Sequence, residues 1–210
     1  MNLTYVAIAV VIAMVVSTLF YFLKRWQIRR LNALLLAKRY DLFEQMLNSF
    51  LSSLLFSKFA RKSYELNESF LRNDRKRTDQ LFEELIQARM SYNTREKLLM
   101  QAFNYYLNAK DYKKTTQYYE EIQKLPNVQM KEETSIMYDI YIQKGDKYLD
   151  FLLDRISQND DVYNGVDEFL VSVIYENKGD KANAKKYEKL SREHMQLLDH
   201  EIAQRSKNKK

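Results

Sequence analysis

The chain has 210 residues, enough for one good-sized domain or for a membrane segment followed by a domain. Three glycines, one proline and no cysteine exclude disulfides and thiolate chemistry and argue against a turn-rich β fold. The net charge of +6 is uneven, since residues 24–114 carry +9, residues 115–199 carry −6 and residues 200–210 carry +3.

Residues 3–23 form an uncharged, apolar run, LTYVAIAVVIAMVVSTLFYFL. At 1.5 Å per residue, a helix of this length spans about 31 Å, which matches the hydrocarbon thickness of a bilayer. A cleaved signal peptide and a buried soluble helix are the alternatives. No basic residue precedes the run, large residues occupy its end, and it has no polar face. We therefore expect residues 1–23 to be a retained transmembrane anchor.

Basic residues come directly after the apolar run, and none comes before it. The positive-inside rule then predicts a single-pass protein of the cell membrane, with the N-terminus outside and the remaining chain in the cytoplasm. Cations and an aromatic ring at this position suit anionic lipid headgroups and the interfacial belt. The expected membrane-interface residues are Lys24, Arg25, Trp26, Arg29 and Arg30. We interpret the basic residues beyond residue 40 as a solvated helix face.

The leading helix of the protein's body follows the apolar run without a helix breaker, so the span and this helix can be continuous. The next segment, residues 47–59, is apolar on two faces. We expect it to be buried, with a dimer contact or a position in the membrane interface as alternatives.

A short polar motif recurs five times, each time after an apolar segment of helical spacing. The motifs begin at Lys38, Asn73, Lys110, Gly145 and Gly179. Successive intervals are 35, 37, 35 and 34 residues. Such a period is typical of helical hairpins that stack because each is too small to bury its apolar face alone. We interpret the motifs as the turns inside these hairpins.

Two of the motifs carry a resemblance to a known repeat. The matching residues are Asp111, Tyr112, Tyr119 and Pro126 around the third motif and Gly179, Asp180 and Ala184 around the fifth. They resemble the tetratricopeptide repeat family of membrane-anchored bacterial type, whose unit is two antiparallel helices joined by a turn that often reads Gly-Asp-Tyr. The resemblance covers residues 24–204 and implies an all-α chain, in which a right-handed α-solenoid of about five hairpins follows the anchor.

The repeats are degenerate at the position where the family has a small alanine. The first four repeats carry Phe43, Thr78, Thr115 and Asp150 there. A plain helical bundle is therefore the alternative fold. The expected domains are an anchor (1–23), a juxtamembrane helix with a first degenerate repeat (24–57), the helical-repeat domain (58–204) and a basic disordered tail (205–210).

No residue pattern typical of catalysis or metal binding is apparent. The three glycines are isolated, so they form no phosphate-binding loop. His194 and His200 are six positions apart, which does not suit chelation on a helix, and we expect both to face solvent. The sequence predicts a protein that is not an enzyme and binds no cofactor. We do not expect nucleic-acid binding, because acidic residues interrupt the basic cluster around Arg75.

The resemblance also implies where a partner would bind. In tetratricopeptide solenoids the first helix of each repeat lines the concave face, where asparagines and basic residues hold extended peptides. An amide side chain suits this role because it can both donate to and accept from a peptide backbone. The residues at matching positions are Asn32, Asn67, Phe70, Lys97, Asn104, Asn108 and Asp139. A solvated helix face is the alternative interpretation.

These features together predict a membrane-anchored, non-catalytic adaptor that binds a protein or peptide partner at the cytoplasmic membrane face. One alternative is a structural subunit of a membrane-embedded assembly, present as a homo- or hetero-oligomer. Another is the same scaffold with its repeats outside the cell.

Overall fold

The computed structural model describes residues 3–158 and 163–207, and no β-strand occurs among them. The prediction of an all-α chain is confirmed. The chain forms two compact units, Met1–Ser91 and Tyr92–Lys210. The domain boundaries expected at residues 57 and 204 stay predictions.

The first unit contains five helices: α1 (Leu3–Leu36), α2 (Tyr40–Leu47), α3 (Phe50–Leu55), α4 (Lys58–Leu71) and α5 (Arg75–Gln87). The described part of the second unit contains α6 (Tyr92–Asn108), α7 (Tyr112–Gln123), α8 (Val128–Tyr138), a π-helical turn (Asp139–Gln143), α9 (Leu149–Gln158), α10 (Gly165–Asn177) and α11 (Lys181–Lys207). Helices α4 and α5, α6 and α7, and α10 and α11 form antiparallel hairpins.

Helix α1 runs without a break from an exposed apolar segment into the packed part of the first unit. Through Trp26, every side chain of α1 that the structure describes is exposed. From there on, every fourth residue is buried: Gln27, Leu31 and Leu35. Among the described residues, α1 is the one helix long and apolar enough to cross a membrane. The expected continuity of the apolar run with the following helix is confirmed.

One hydrophobic cluster of the first unit lies where α2 and α3 pack against the C-terminal part of α1. Its buried apolar residues are Leu31, Leu35, Phe43, Leu47, Leu55 and Phe56. The expectation that residues 47–59 are buried is wrong for Phe50 and Leu54, which are 83 % and 60 % exposed. The six-residue helix α3 is too short to be enclosed and presents one face to the core, which leaves this pair on its open side.

Four of the five predicted turns share one geometry. Their first residues have positive φ angles: 55° at Lys38, 54° at Asn73, 56° at Lys110 and 76° at Gly179. In each turn this residue and the next donate their N–H groups to carbonyl oxygens three and five positions back. This is a Schellman cap, which satisfies carbonyl groups that the end of a helix leaves without partners.

Three of these turns also begin the next helix. The capping residues are Asp74, Asp111 and Asp180, whose carboxylates accept the N–H groups of Arg77, Lys114 and Asn183. The N-cap of α2 is Arg39, which makes no side-chain capping bond. In the three aspartate turns, two consecutive residues therefore satisfy backbone groups of two helix ends.

The fourth turn lies one residue earlier than predicted. The positive φ of 56° lies at Lys144, the residue after the π-helical turn, rather than at Gly145. The buried carboxylate of Asp139 accepts the N–H of Lys147 at 3.2 Å. A Cβ atom on Gly145 would lie 2.4 Å from Oδ1 of Asp139. Glycine is needed here for close approach, not for a left-handed backbone.

Two hairpins bury a threonine at the position where tetratricopeptide repeats carry an alanine. Thr78 and Thr115 are fully buried. Their hydroxyls donate to the carbonyl oxygens of Asp74 and Asp111, at 2.9 and 2.8 Å. Burial of the hydroxyl is tolerated because it is hydrogen-bonded within its own helix.

Stacked tyrosines join successive helices of the second unit. The pairs are Tyr106–Tyr118 (5.3 Å between ring centroids), Tyr119–Tyr138 (4.1 Å) and Tyr175–Tyr187 (5.7 Å). They link α6 to α7, α7 to α8 and α10 to α11. Aromatic stacking of this kind adds to the stabilisation from burial alone.

Helix α11 differs from its prediction in two respects. His194 does not face solvent: its Nδ1 lies 2.9 Å from the carboxylate of Glu168, which is buried on α10. The periodicity of a charged helix does not show which of its faces meets a neighbour. The helix also continues to Lys207, supported by the pair Glu201 and Arg205, so the first residues of the expected disordered tail are helical. Residues 208–210 lie outside the described residues.

The turn geometry predicts opposite effects for two substitutions in the second unit. We expect Lys110→Gly to raise the free energy of unfolding by about 1 kcal/mol, because a left-handed backbone is costly for residues with a Cβ. Gly179→Ala should lower it by about the same amount, since strain is the only cost there: an added Cβ has no neighbour within 4 Å. Thermal unfolding of the full chain in detergent, followed by circular dichroism, measures both. Shifts of equal sign would contradict this explanation of the turns.

Candidate functional site

The predicted membrane-interface residues lie together on α1, directly after its exposed apolar part. Lys24, Arg25, Trp26, Arg29 and Arg30 are all exposed. The guanidinium of Arg30 lies 4.9 Å from the centroid of the Trp26 ring. Apolar residues followed by cations on both sides of an aromatic ring are what a helix needs where it leaves hydrocarbon for headgroups.

Asn32, the first of the predicted partner-binding residues, lies close to this group. It is exposed, and its spacing of three and seven residues from Arg29 and Arg25 places the three side chains on one face of α1. The structure thus associates Asn32 with the membrane-interface residues on their own helix.

Three predicted partner-binding residues share one face of α6. Lys97, Asn104 and Asn108 are separated by seven and four positions, and Gln101 completes the row. All four are exposed except Asn104, which is half-buried. We call them the α6 polar stripe. Gln101 was not among the predicted residues, although its helical spacing from Lys97 could have identified it.

The other predicted partner-binding residues are divided between surface and interior. Asn67 is exposed on α4. Phe70 is half-buried, and its ring centroid lies 5.8 Å from that of Phe82 inside the α4/α5 hairpin. Asp139 is buried and holds the turn that follows it. The structure therefore gives Phe70 and Asp139 packing contacts that compete with the predicted binding role.

A polar cavity of about 420 Å³ opens in the first unit between α2, α4 and α5. Its charged lining residues are Glu44, Glu65, Glu68, Arg72, Asp74 and Arg77. Arg72 is at its centre: its Nη1 lies 2.8 Å from Glu44 Oε1 and 3.0 Å from Glu68 Oε1. The same guanidinium lies 5.4 Å from the centroid of the Tyr40 ring.

The pKa of Glu68 reflects opposing effects within this cavity. Burial raises the pKa of its carboxyl group above the ordinary value, the hydrogen bond from Arg72 lowers it, and the nearby charge of Glu44 raises it again. The hydrogen bond to Glu68 in turn raises the pKa of Arg72. Arg72 therefore compensates a buried carboxylate and links α2 to α4. The sequence pattern did not reveal this cluster, because Glu44 and Arg72 are 28 positions apart.

A scan against protein-family models, a search of curated proteins and a search of solved structures each found no match to this chain. The candidate functional surfaces are therefore defined by geometry: the interface group on α1, the exposed amides and the α6 polar stripe.

The cluster predicts a pH-dependent effect of Arg72→Gln. The raised pKa means that the folded protein keeps a proton on Glu68 at pH values where the unfolded chain has lost it. The stabilising contribution of that proton is complete below the unfolded pKa and is lost as the pH rises through the folded pKa. Removing Arg72 raises the folded pKa further, so the variant should be destabilised at about pH 7 and recover most of the difference near pH 4.

The matched control is Lys178→Gln, which breaks the ion pair with Asp146 where both side chains are largely exposed. This variant should lose less stability at neutral pH than Arg72→Gln, because an exposed ion pair contributes little. Denaturant unfolding of the full chain in detergent at several pH values measures both. An Arg72→Gln deficit that does not shrink in acid would contradict the assigned role of Glu68.

Proposed function

We propose that this protein is a non-catalytic adaptor, anchored in the membrane by α1, whose helical hairpins bind a protein or peptide partner at the cytoplasmic face. The observation that carries the proposal is the continuity of α1. One helix exposes apolar side chains along its N-terminal part and then contributes Leu31 and Leu35 to a packed core. Such a helix is suited to attach a folded unit directly to a bilayer.

The exposed part of α1 supports the anchor because water is a poor solvent for it. Large apolar side chains follow one another there, with Val15, Leu19 and Phe22 each about 60 % exposed. Contiguous apolar surface of this extent marks an interface with lipid or protein. The basic residues from Lys24 to Arg30 then favour the cytoplasmic side for the rest of the chain.

The recurring turns support a tetratricopeptide-like organisation. Turns with a left-handed residue followed by a capping aspartate occur at Asn73, Lys110 and Gly179, close to multiples of the repeat length. We propose that the hairpins they form belong to a right-handed α-solenoid. Solenoids of this kind present helix faces of constant spacing, which suits the recognition of extended peptides.

The exposed amides supply the chemistry for such recognition. Asn67, Gln101 and Asn108 are exposed on first helices of hairpins, and each carries both a donor and an acceptor. Lys97 adds a cation to the α6 polar stripe. The proposed ligand is therefore an extended backbone with acidic side chains or a free carboxylate.

The proposed topology predicts the accessibility of a single thiol. The chain has no cysteine, and the Lys189 side chain on α11 is 77 % exposed, so Lys189→Cys introduces one accessible thiol. A membrane-impermeant maleimide should leave this variant unlabelled on intact cells and label it after permeabilisation. An Asn2→Cys variant, on the other side of the span, should be labelled on intact cells. Labelling of Lys189→Cys without permeabilisation would place the hairpins outside.

The proposed recognition by exposed amides on the first helices predicts a loss of partners when these amides are removed. Proximity labelling in the native cell, with full-length protein, should lose specific labelled neighbours in the Asn67→Ala/Asn108→Ala variant. The matched control is Gln80→Ala/Gln117→Ala, which removes two exposed amides from second helices. Circular dichroism should confirm that both variants fold. Identical labelled neighbours for both variants would contradict the proposed surface.

A further inference from the structure

Helix α3 is the part of the first unit that returns toward the exposed segment of α1. After the turn at residues 37–39, α2 runs back along α1, and its eight residues cover about 12 Å. Helix α3 begins directly after it. Gln27 Nε2 donates to Ser52 Oγ at 2.9 Å in a buried contact, and Ser52 Oγ donates to the carbonyl oxygen of Met46 at 2.7 Å. These bonds place α3 level with Gln27.

Gln27 is also the first residue of α1 that the fold buries, so α3 is packed at the boundary of the exposed segment. Gln27 follows Leu23, the last residue of the apolar run, by four positions, or about 6 Å along the helix. The headgroup region on each side of a bilayer is about 5–8 Å thick. On the proposed function, in which α1 spans the membrane, α3 therefore lies at headgroup depth.

The surface that α3 presents there is apolar and uncharged. Phe50 and Leu54 are one helical turn apart, share a face and are 83 % and 60 % exposed, while Leu55 faces the core. No residue of α3 is charged. Exposed cations lie near it: Lys24 and Arg30 on α1, each three positions and thus about one turn from Gln27, and Lys58 at the start of α4. Apolar residues flanked by cations are typical of segments that lie in a membrane interface.

We propose that α3 is a second membrane contact, in which Phe50 and Leu54 enter the headgroup–acyl boundary of the bilayer that α1 spans. A lipid surface fits better than a second copy of the chain. Two side chains supply far less area than the roughly 800 Å² per partner of a stable protein interface. The patch is also continuous with the anchor through the bond between Gln27 and Ser52.

The test uses full-length protein in vesicles of phosphatidylcholine with a minority of phosphatidylglycerol. A single cysteine at Ser53, exposed on α3, carries an environment-sensitive fluorophore. Ala13→Cys reports on the middle of the proposed span. Ala37→Cys, exposed at the far end of α1, lies about 21 Å beyond Leu23 and is the distant control. Lipids with a nitroxide on the headgroup, or near the end of the acyl chain, report depth by quenching.

We expect the label at position 53 to be blue-shifted and quenched mainly by the headgroup nitroxide, and the label at position 37 to be quenched far less. Adding Phe50→Ser and Leu54→Ser should reduce the quenching and the blue shift at position 53. The matched control is Leu36→Ser, which removes an apolar side chain that is 85 % exposed but lies away from the span, and it should change neither signal.

Two results would overturn the proposal while leaving the anchor intact. One is quenching at position 53 no stronger than at position 37, with position 13 still quenched by the deep nitroxide. The other is efficient cross-linking of Ser53→Cys between copies together with weak quenching, which would assign the patch to a second copy. Absence of deep quenching at position 13 would instead refute the anchor, and with it both proposals.

Discussion

The row Gln27, Leu31 and Leu35 is the contact on which the first unit depends. At this row α1 changes from an exposed apolar helix to a packed one, without a glycine or proline to interrupt its hydrogen bonds. An uninterrupted helix bends only gently, so the packed unit cannot pivot freely about the exposed segment. A buried glutamine at the changeover requires a partner, and Ser52 provides it. The same row therefore fixes both the direction of α1 and the position of α3.

The hairpins depend on turns that reverse the chain within two residues. A left-handed backbone costs a lysine or an asparagine roughly 1–2 kcal/mol. The Schellman bonds and the aspartate cap offset this cost, because they supply partners for carbonyl and N–H groups that two helix ends would otherwise leave unsatisfied. This explains why a polar pair such as Lys110–Asp111 can serve where glycine would be expected.

Features of the fold that rest on local chemistry could be predicted from the sequence. The apolar run, the uninterrupted α1 and four of the five turns each follow from residues within a few positions of one another. The fourth turn could not be placed, because a carboxylate eight positions away, Asp139, sets the backbone at Lys147. The contact of His194 with Glu168 and the cluster around Arg72 join helices that are distant in sequence, and no periodicity encodes which faces meet.

In the candidate site, too, some residues follow from local sequence and others depend on contacts between distant segments. The interface residues on α1 could be predicted because charge and hydropathy along one helix decide them. The predicted partner-binding residues came from a repeat template, which assigns residues to helix positions but does not distinguish exposed amides such as Asn67 from packed residues such as Phe70. Exposure on a helix also depends on neighbours. The apolar character of Phe50 and Leu54 predicts burial, and the shortness of α3 is what leaves them outside the core.

Two membrane contacts on the first unit would constrain its orientation to the bilayer as well as its attachment. A single spanning helix fixes the distance of a unit from the bilayer but leaves helix and unit free to tilt together. A second contact at α3, offset from the axis of α1 and bonded to that helix through Gln27 and Ser52, would resist this tilting. The first unit would then present a constant side to the membrane, with Phe50 and Leu54 beneath it. For an adaptor such an arrangement is advantageous, because a partner bound to an oriented surface loses less freedom when it meets a second component in the same membrane.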